Sequence, residues 1–306
     1  MNALRMPVKM GSGVLNIAHR GARAFAPENT LVAFMKAKTF GCQMVEIDVR
    51  LSKDHQLIVH HDENLSRCTD VQAKFPYLTN YDLWNFTYDQ LSSLDAGSWY
   101  VEQLSLPYLE RQSFLQKITE DELIRFVSPH DRDTYASGNI KLPTLKQTLE
   151  FANGIDMMVN IELKTQPGKE KELAVSVVKL VELMSMEHKI LISSFDHELL
   201  RIVRQMSDTI ATGILTSALI KNLNQYMQLI DADAYHPNCY GESNSNGIQK
   251  LNLGGITSAL EGGCYVNVWT CNDKEDIRQL LACGVSGVIS DFPNRVKEVI
   301  DNYVSQ

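Results

Sequence analysis

Glu46 and Asp48 stand two residues apart in the run MVEIDVRL. In an extended strand alternate side chains share a face, so this spacing sets the two carboxylates side by side. Adjacent carboxylates repel unless a proton or a cation intervenes. A third acid, Glu162, ends another apolar run in NIELK. Three carboxylates form an all-oxygen donor set, which suits a hard divalent cation, Mg²⁺ or Ca²⁺, and not a soft metal. Two histidines, His19 and His61, flank the first pair of acids. Imidazole titrates near neutrality, so these two are candidates for general acid and base. His60 precedes His61 and points the opposite way if that stretch is extended, so only one of the two can face the site. Arg20 and Lys164 put positive charge beside the acids, where it can pair with them or hold an anionic phosphate.

These side chains matter only if the fold gathers them. Short β-branched runs alternate with helical patterns along most of the chain. Strands are expected at 14–18, 44–49, 156–161, 189–192, 211–215, 233–235, 264–269 and 285–289, with 57–60 as a short extended arm. Strand–helix alternation argues for parallel pairing, because each crossover needs a helix. About eight such units are what a closed α/β barrel, the (β/α)8 TIM barrel, requires. In that fold the C-terminal ends of the strands share one mouth. His19-Arg20, Glu46-x-Asp48, His61 and Glu162-x-Lys164 all fall at strand ends, as do Ser194, His236, Trp269 and Asp291.

One stretch breaks the rhythm. From about 66 to 139 the chain is longer than a crossover needs, and Phe114, Leu115, Ile118, Ile124 and Val127 suggest one or two amphipathic helices. This reads as an insertion near the catalytic mouth, its apolar stripe needing the barrel flank or a second subunit as cover. Residues 1–306 then form a single domain.

The string IAHRGARAFAPENTLVAFMKAKTFGCQMVEIDVRLSKDHQLIVHHD, from Ile17 to Asp62, closely resembles the glycerophosphodiester phosphodiesterase family. It has an HRG opening, PENT at a helix start, E-x-D, a turn and a terminal HD. LDAGSW, LPTL, IELK, SSFD, VWTCND and SDFP continue the resemblance to about Ile300. It implies metal-dependent hydrolysis of glycerophosphodiesters to glycerol 3-phosphate and an alcohol. Glu46, Asp48 and Glu162 would then hold the metal, His19 and His61 act as acid and base, and Arg20 and Lys164 contact phosphate. It also implies that Trp269 forms an aromatic wall near the alcohol moiety. Asn29 in PENT reads as a helix N-cap, and Cys271 as an inert buried thiol. The departure from the family pattern lies between Tyr100 and Asn139, where the approach to LPTL is long. The nearest alternative within the same framework is a lysophospholipase D or a sphingomyelinase D-like phosphodiesterase. A silent barrel that only binds phosphodiesters would be free to lose one of His19, Glu46, Asp48, His61 and Glu162, and none is lost.

Composition narrows the partners. The net charge of −8 lacks the basic excess of a nucleic-acid binder. The six cysteines form no C-x-x-C pair and no zinc-like cluster, which suits reduced thiols. No apolar run approaches the ~20 residues of a membrane span, and the N-terminus lacks an uninterrupted signal-peptide core. A cytoplasmic enzyme of small soluble diesters, without stable membrane association, is the expectation.

Overall fold

The computed structural model describes residues 5–7, 13–241 and 250–304. Strands β1 (Leu15–His19), β2 (Met44–Leu51), β4 (Met158–Leu163), β5 (Ile190–Ser194), β6 (Ala211–Thr216), β7 (Ala234–Pro237), β8 (Tyr265–Val268) and β9 (Gly287–Ser290) pair in parallel, each with the next. β1 pairs with both β2 and β9, which closes the barrel. The short β3 (Leu57–Val59) is antiparallel to β2 and stands outside the ring. All eight residues of β2 and all six of β4 are buried. That fits strands covered on one face by helices and on the other by the barrel interior.

Helices return the chain between strands, and polar side chains start several of them. Thr30 caps the helix Leu31–Thr39, Thr144 caps Leu145–Gly154, and Asp273 caps Lys274–Cys283. Each supplies a side-chain oxygen to an N–H left unpaired in the first turn. The expected strands match within one or two residues, and one shift matters. β4 runs two residues later than 156–161, so Glu162 lies within the strand and faces Asp48 across the sheet.

Between β3 and the helix Leu145–Gly154 the chain forms five short helices, more than the one or two expected. Phe114, Leu115, Ile118 and Val127 are buried as the apolar stripe predicts, but Ile124 is 71 % exposed. The insertion braces the barrel. Tyr100 and Tyr135 donate their hydroxyls to the Ala24 and Phe25 carbonyls. Lys36 pairs with Asp131, and Arg295 with Glu122.

Candidate active site

β1, β2 and β4 deliver the charged groups. Glu46 and Asp48 alternate on β2 with Ile47 between them, and the β2–β4 register sets Glu162 opposite Asp48. Glu46, Asp48 and Glu162 each offer an oxygen within 4.8 Å of the others, and all three are buried. Burial and the charges of Asp48 and Glu162 raise the Glu46 carboxyl well above its usual range. Burial also works against Asp48, but Lys164, His61 and Arg20 outweigh it and hold that carboxyl ionised to low pH. Burial raises Glu162, partly relieved by Lys164.

The residues present fit a divalent cation. Glu46 Oε1 is buried without a hydrogen-bond donor, while Oε2 accepts from the Arg20 N–H at 2.9 Å. Lys164 Nζ lies 3.0 Å from Asp48 Oδ1 and also pairs with Glu162. Lys164 and Arg20, which also pairs with Glu28, cannot neutralise all these carboxylates. A hard dication on Glu46, Asp48 and Glu162 would supply what is missing, and the donor set is of the oxygen-only kind that Mg²⁺ and Ca²⁺ take.

Each histidine is held from behind by a carboxylate. His19 Nδ1 lies 2.7 Å from Asp291 Oδ1, and His61 Nδ1 lies 2.6 Å from Asp62 Oδ1. A carboxylate can only accept, so each Nδ1 carries the proton and each Nε2 is left to the pocket. Burial and the Arg20 charge push His19 down to about 4, against the pull of Asp291. His19 is therefore neutral at pH 7. Asp291 is steadied in turn by the Asn272 amide at 2.7 Å. His60 is buried and lies off the pocket lining, so the alternation expected of the pair holds.

His19, Arg20, Glu46, His61, Glu162 and Lys164 meet at one cavity of about 160 Å³. Its remaining wall is Asn160, Phe195, Leu215, Trp269, Thr270 and Ile289. Trp269 lies on this wall. Its Nε1 donates to the His236 carbonyl at 2.7 Å, and its ring meets Phe195 edge-on at 5.3 Å. Asp48 lies beneath the lining, where Arg20 Nε approaches it at 3.4 Å. A larger groove on the flank, between the insertion and the helix Pro293–Val304, holds none of these groups.

Several site residues differ from, or were missed by, the sequence analysis. Asn29 is not the cap: Thr30 is, and Asn29 Nδ2 donates to Asp48 Oδ2 at 2.8 Å. Its φ of +56° turns the side chain back toward the acids, a conformation asparagine tolerates. Asp291 and Asp62 emerge as histidine partners, foreshadowed only by their places in SDFP and HHD. Glu28 pairs with Arg20, Arg23 and Arg67, tying the PENT loop to the insertion. Ser194 hydrogen-bonds the Leu163 carbonyl and lies off the pocket lining, as does His236. Cys271 is buried and free, as expected. Among the described residues no helix is long and apolar enough to cross a membrane.

Comparison with known proteins gives this site a lineage. A glycerophosphodiester phosphodiesterase of Bacillus altitudinis is 28 % identical over 284 residues, 92 % of this chain and 96 % of its own. A lysophospholipase D of Homo sapiens is 23 % identical over 314 residues, covering 94 % of this chain and 86 % of its own. A phosphodiesterase of Oleispira antarctica, solved in complex with the product sn-glycerol-3-phosphate, superposes with a TM-score of 0.71 at 26 % identity, over 93 % of this chain and 96 % of that one. The model of the glycerophosphoryl diester phosphodiesterase family matches residues 19–295, so the chain belongs to that family.

Proposed function

We propose that the protein hydrolyses water-soluble glycerophosphodiesters to glycerol 3-phosphate and an alcohol. The observation that carries this reading is the convergence of three buried carboxylates, two carboxylate-backed histidines and two cations on one small cavity. Arg20 and Lys164 would hold the non-bridging phosphate oxygens, whose charge otherwise repels a nucleophile. His19, neutral with Nε2 toward the pocket, suits the base that takes a proton from the attacking hydroxyl. His61, set against Asp62, would return a proton to the departing alkoxide. The attacking oxygen forms a bond to phosphorus, the phosphorus–alcohol bond breaks, and His19 then gives its proton to solvent while His61 regains one, restoring both for the next turnover. A cation on Glu46, Asp48 and Glu162 would add Lewis-acid neutralisation of the phosphate.

The cavity is smaller than the ~300 Å³ at which sites for drug-sized ligands begin. That volume favours a three-carbon phosphate inside it over an acyl chain. Phe195, about half exposed at the rim, gives the lysophospholipase D reading its own support, since a chain could lie across it. A diester screen decides. Glycerophosphocholine and glycerophosphoethanolamine are compared with the lysophospholipid of the same headgroup, in EDTA and with Mg²⁺, Ca²⁺ or Mn²⁺. The expected result is higher kcat/KM for the deacylated diesters and loss of turnover in EDTA. A clear preference for the lysolipid overturns the small-substrate reading.

A further inference from the structure

Barrel interiors are ordinarily filled by layers of branched apolar side chains. The lowest layer here obeys: Leu15, Met44, Met158, Leu191, Ala211 and Ala234 pack together. Several residues one step up the strands do not. Asn160 on β4, Ser193 on β5, His236 on β7 and Asn267 on β8 are all essentially inaccessible to solvent. Asn267 Nδ2 donates to His236 Nε2 at 3.0 Å, which leaves the proton on His236 Nδ1.

Two glycines make the room. A Cβ on Gly213 would come within 2.8 Å of His236 Nε2, and one on Gly287 within 2.6 Å of Asn267 Oδ1. No other residue fits at either place without moving the polar pair. Yet both polar atoms of the Asn160 amide, Ser193 Oγ, His236 Nδ1 and Asn267 Oδ1 find no partner in the protein. An unpaired buried polar group is destabilising, so a layer carrying several is retained against stability unless a hydrogen-bonding guest meets it.

Of the four, Asn160 lines the pocket. It sits two residues below Glu162 on the same strand, a rise of about 6.6 Å. That is roughly the reach from a phosphorus at the rim, along a three-carbon arm, to the arm's terminal oxygen. The 2-hydroxyl, one carbon from the ester, stays near the carboxylates.

We propose that Asn160 is a specificity-determining residue that hydrogen-bonds the glycerol hydroxyl farthest from phosphorus, with Ser193, His236 and Asn267 as its polar backing. The assignment rests on the glycerophosphodiester reading above and adds the atom that the pocket floor selects. The glycerol arm points into the barrel, and the leaving alcohol points out past Phe195.

The test compares sn-glycero-3-phosphocholine with 2-hydroxypropyl phosphocholine, which lacks only the terminal hydroxyl and keeps the 2-hydroxyl. A site built to hydrogen-bond a hydroxyl rejects the analogue without it strongly, so wild type should favour the glycerol diester by at least ~10²-fold in kcat/KM. In Asn160→Ala that ratio should fall below about 5. Asn160→Leu, which fills the space without polar atoms, should do the same and covers the case in which the alanine variant melts below assay temperature. A wild-type ratio near one, or an unchanged ratio in either folded variant, overturns the assignment while leaving the phosphodiesterase reading intact. Failure of wild type to turn over either diester overturns both.

Discussion

β1, β2 and β4, with the arm after β3, set His19, Arg20, Glu46, His61, Glu162 and Lys164 on one side of the pocket, whereas β5 to β9 bring Phe195, Leu215, Trp269 and Ile289 to the other. The first half is electrostatically unsatisfied by itself. Glu46 and Glu162 are pushed toward protonation, and Lys164 with an Arg20 shared with Glu28 does not balance the set. The pocket-lining side chains of the second half are neutral, and their aromatic pair is held by ordinary packing and a backbone hydrogen bond. Groups that perform chemistry on an anion must be charged and partly desolvated, which costs stability. Groups that shape a pocket need neither. The two halves should therefore respond to substitution in different measure and in different observables.

The largest effect belongs to the carboxylates. Glu46→Gln replaces a carboxyl that burial and two neighbouring acids make costly to ionise, so it should leave the melting temperature unchanged or higher. Activity should fall below detection, at least ~10⁴-fold, and titration calorimetry with Mg²⁺ or Ca²⁺ should show weakened binding. Metal-dependent turnover near wild type would break the contrast, because the charged half would then owe its arrangement to structure alone. His19→Ala and His61→Ala come next, each lowering kcat/KM by roughly 10²–10⁴-fold. His60→Ala is the comparison, being adjacent in sequence, buried and off the pocket. Assayed below its melting temperature it should stay active, and losses matching those at His61 would mean that the arm presents the wrong histidine.

The neutral half makes its mark on stability. Burial alone pushes His236 down to about 3, from about 6.5 in an unfolded chain. The folded protein thus binds fewer protons at this group than the unfolded one does. Its contribution is complete above about pH 6.5 and is lost as the pH falls toward 3. Between pH 7 and pH 4.5 wild type should lose about 2 kcal/mol more stability than His236→Gln, which has no such group. Denaturant unfolding of both proteins at the two pH values measures the difference. Equal losses would show that His236 titrates in the folded barrel as it does in water.

The same contrast explains what could be read from the sequence. Acids inside apolar β-branched runs are anomalous, since a buried carboxylate needs a reason, and Glu46, Asp48 and Glu162 announce themselves at once. Strand–helix alternation was equally legible, because its period is local. Four features were not. Asp291 supports His19 from 272 positions away, and only the closure of β9 on β1 brings them together. Asn29 carries the residue type of a cap at the position of one, and its left-handed backbone, invisible in composition, hands the cap to Thr30. Ile124 fits the periodicity of its helix yet faces solvent, because a short helix on an insertion has only one side to pack. The polar floor escaped for another reason. An Asn, a Ser or a His in a strand is unremarkable by itself, and the signal lay in Gly213 and Gly287, whose missing side chains admit His236 and Asn267.

The smallest expected effect lies at the outer edge of the neutral wall. Phe195 follows β5, is 46 % exposed and meets the Trp269 ring edge-on, with an interplanar angle of 89°. Such a pair is worth about 0.5–1.5 kcal/mol beyond the area it buries, or roughly 2- to 10-fold in a binding constant. Phe195 touches none of the proton-transferring groups through a hydrogen bond or ion pair, and the choline of a bound diester would leave past its ring. A quaternary ammonium is attracted to an aromatic face. Phe195→Ala should therefore raise KM for glycerophosphocholine by about 2- to 10-fold and leave kcat within about twofold. The methyl diester of glycerol 3-phosphate, whose alcohol is too short to reach the wall, should be unaffected. Equal losses on both diesters would mean that Phe195 holds Trp269 in place and does not touch the alcohol. A fall in kcat matching the rise in KM would move this wall from shaping the pocket into the chemistry itself.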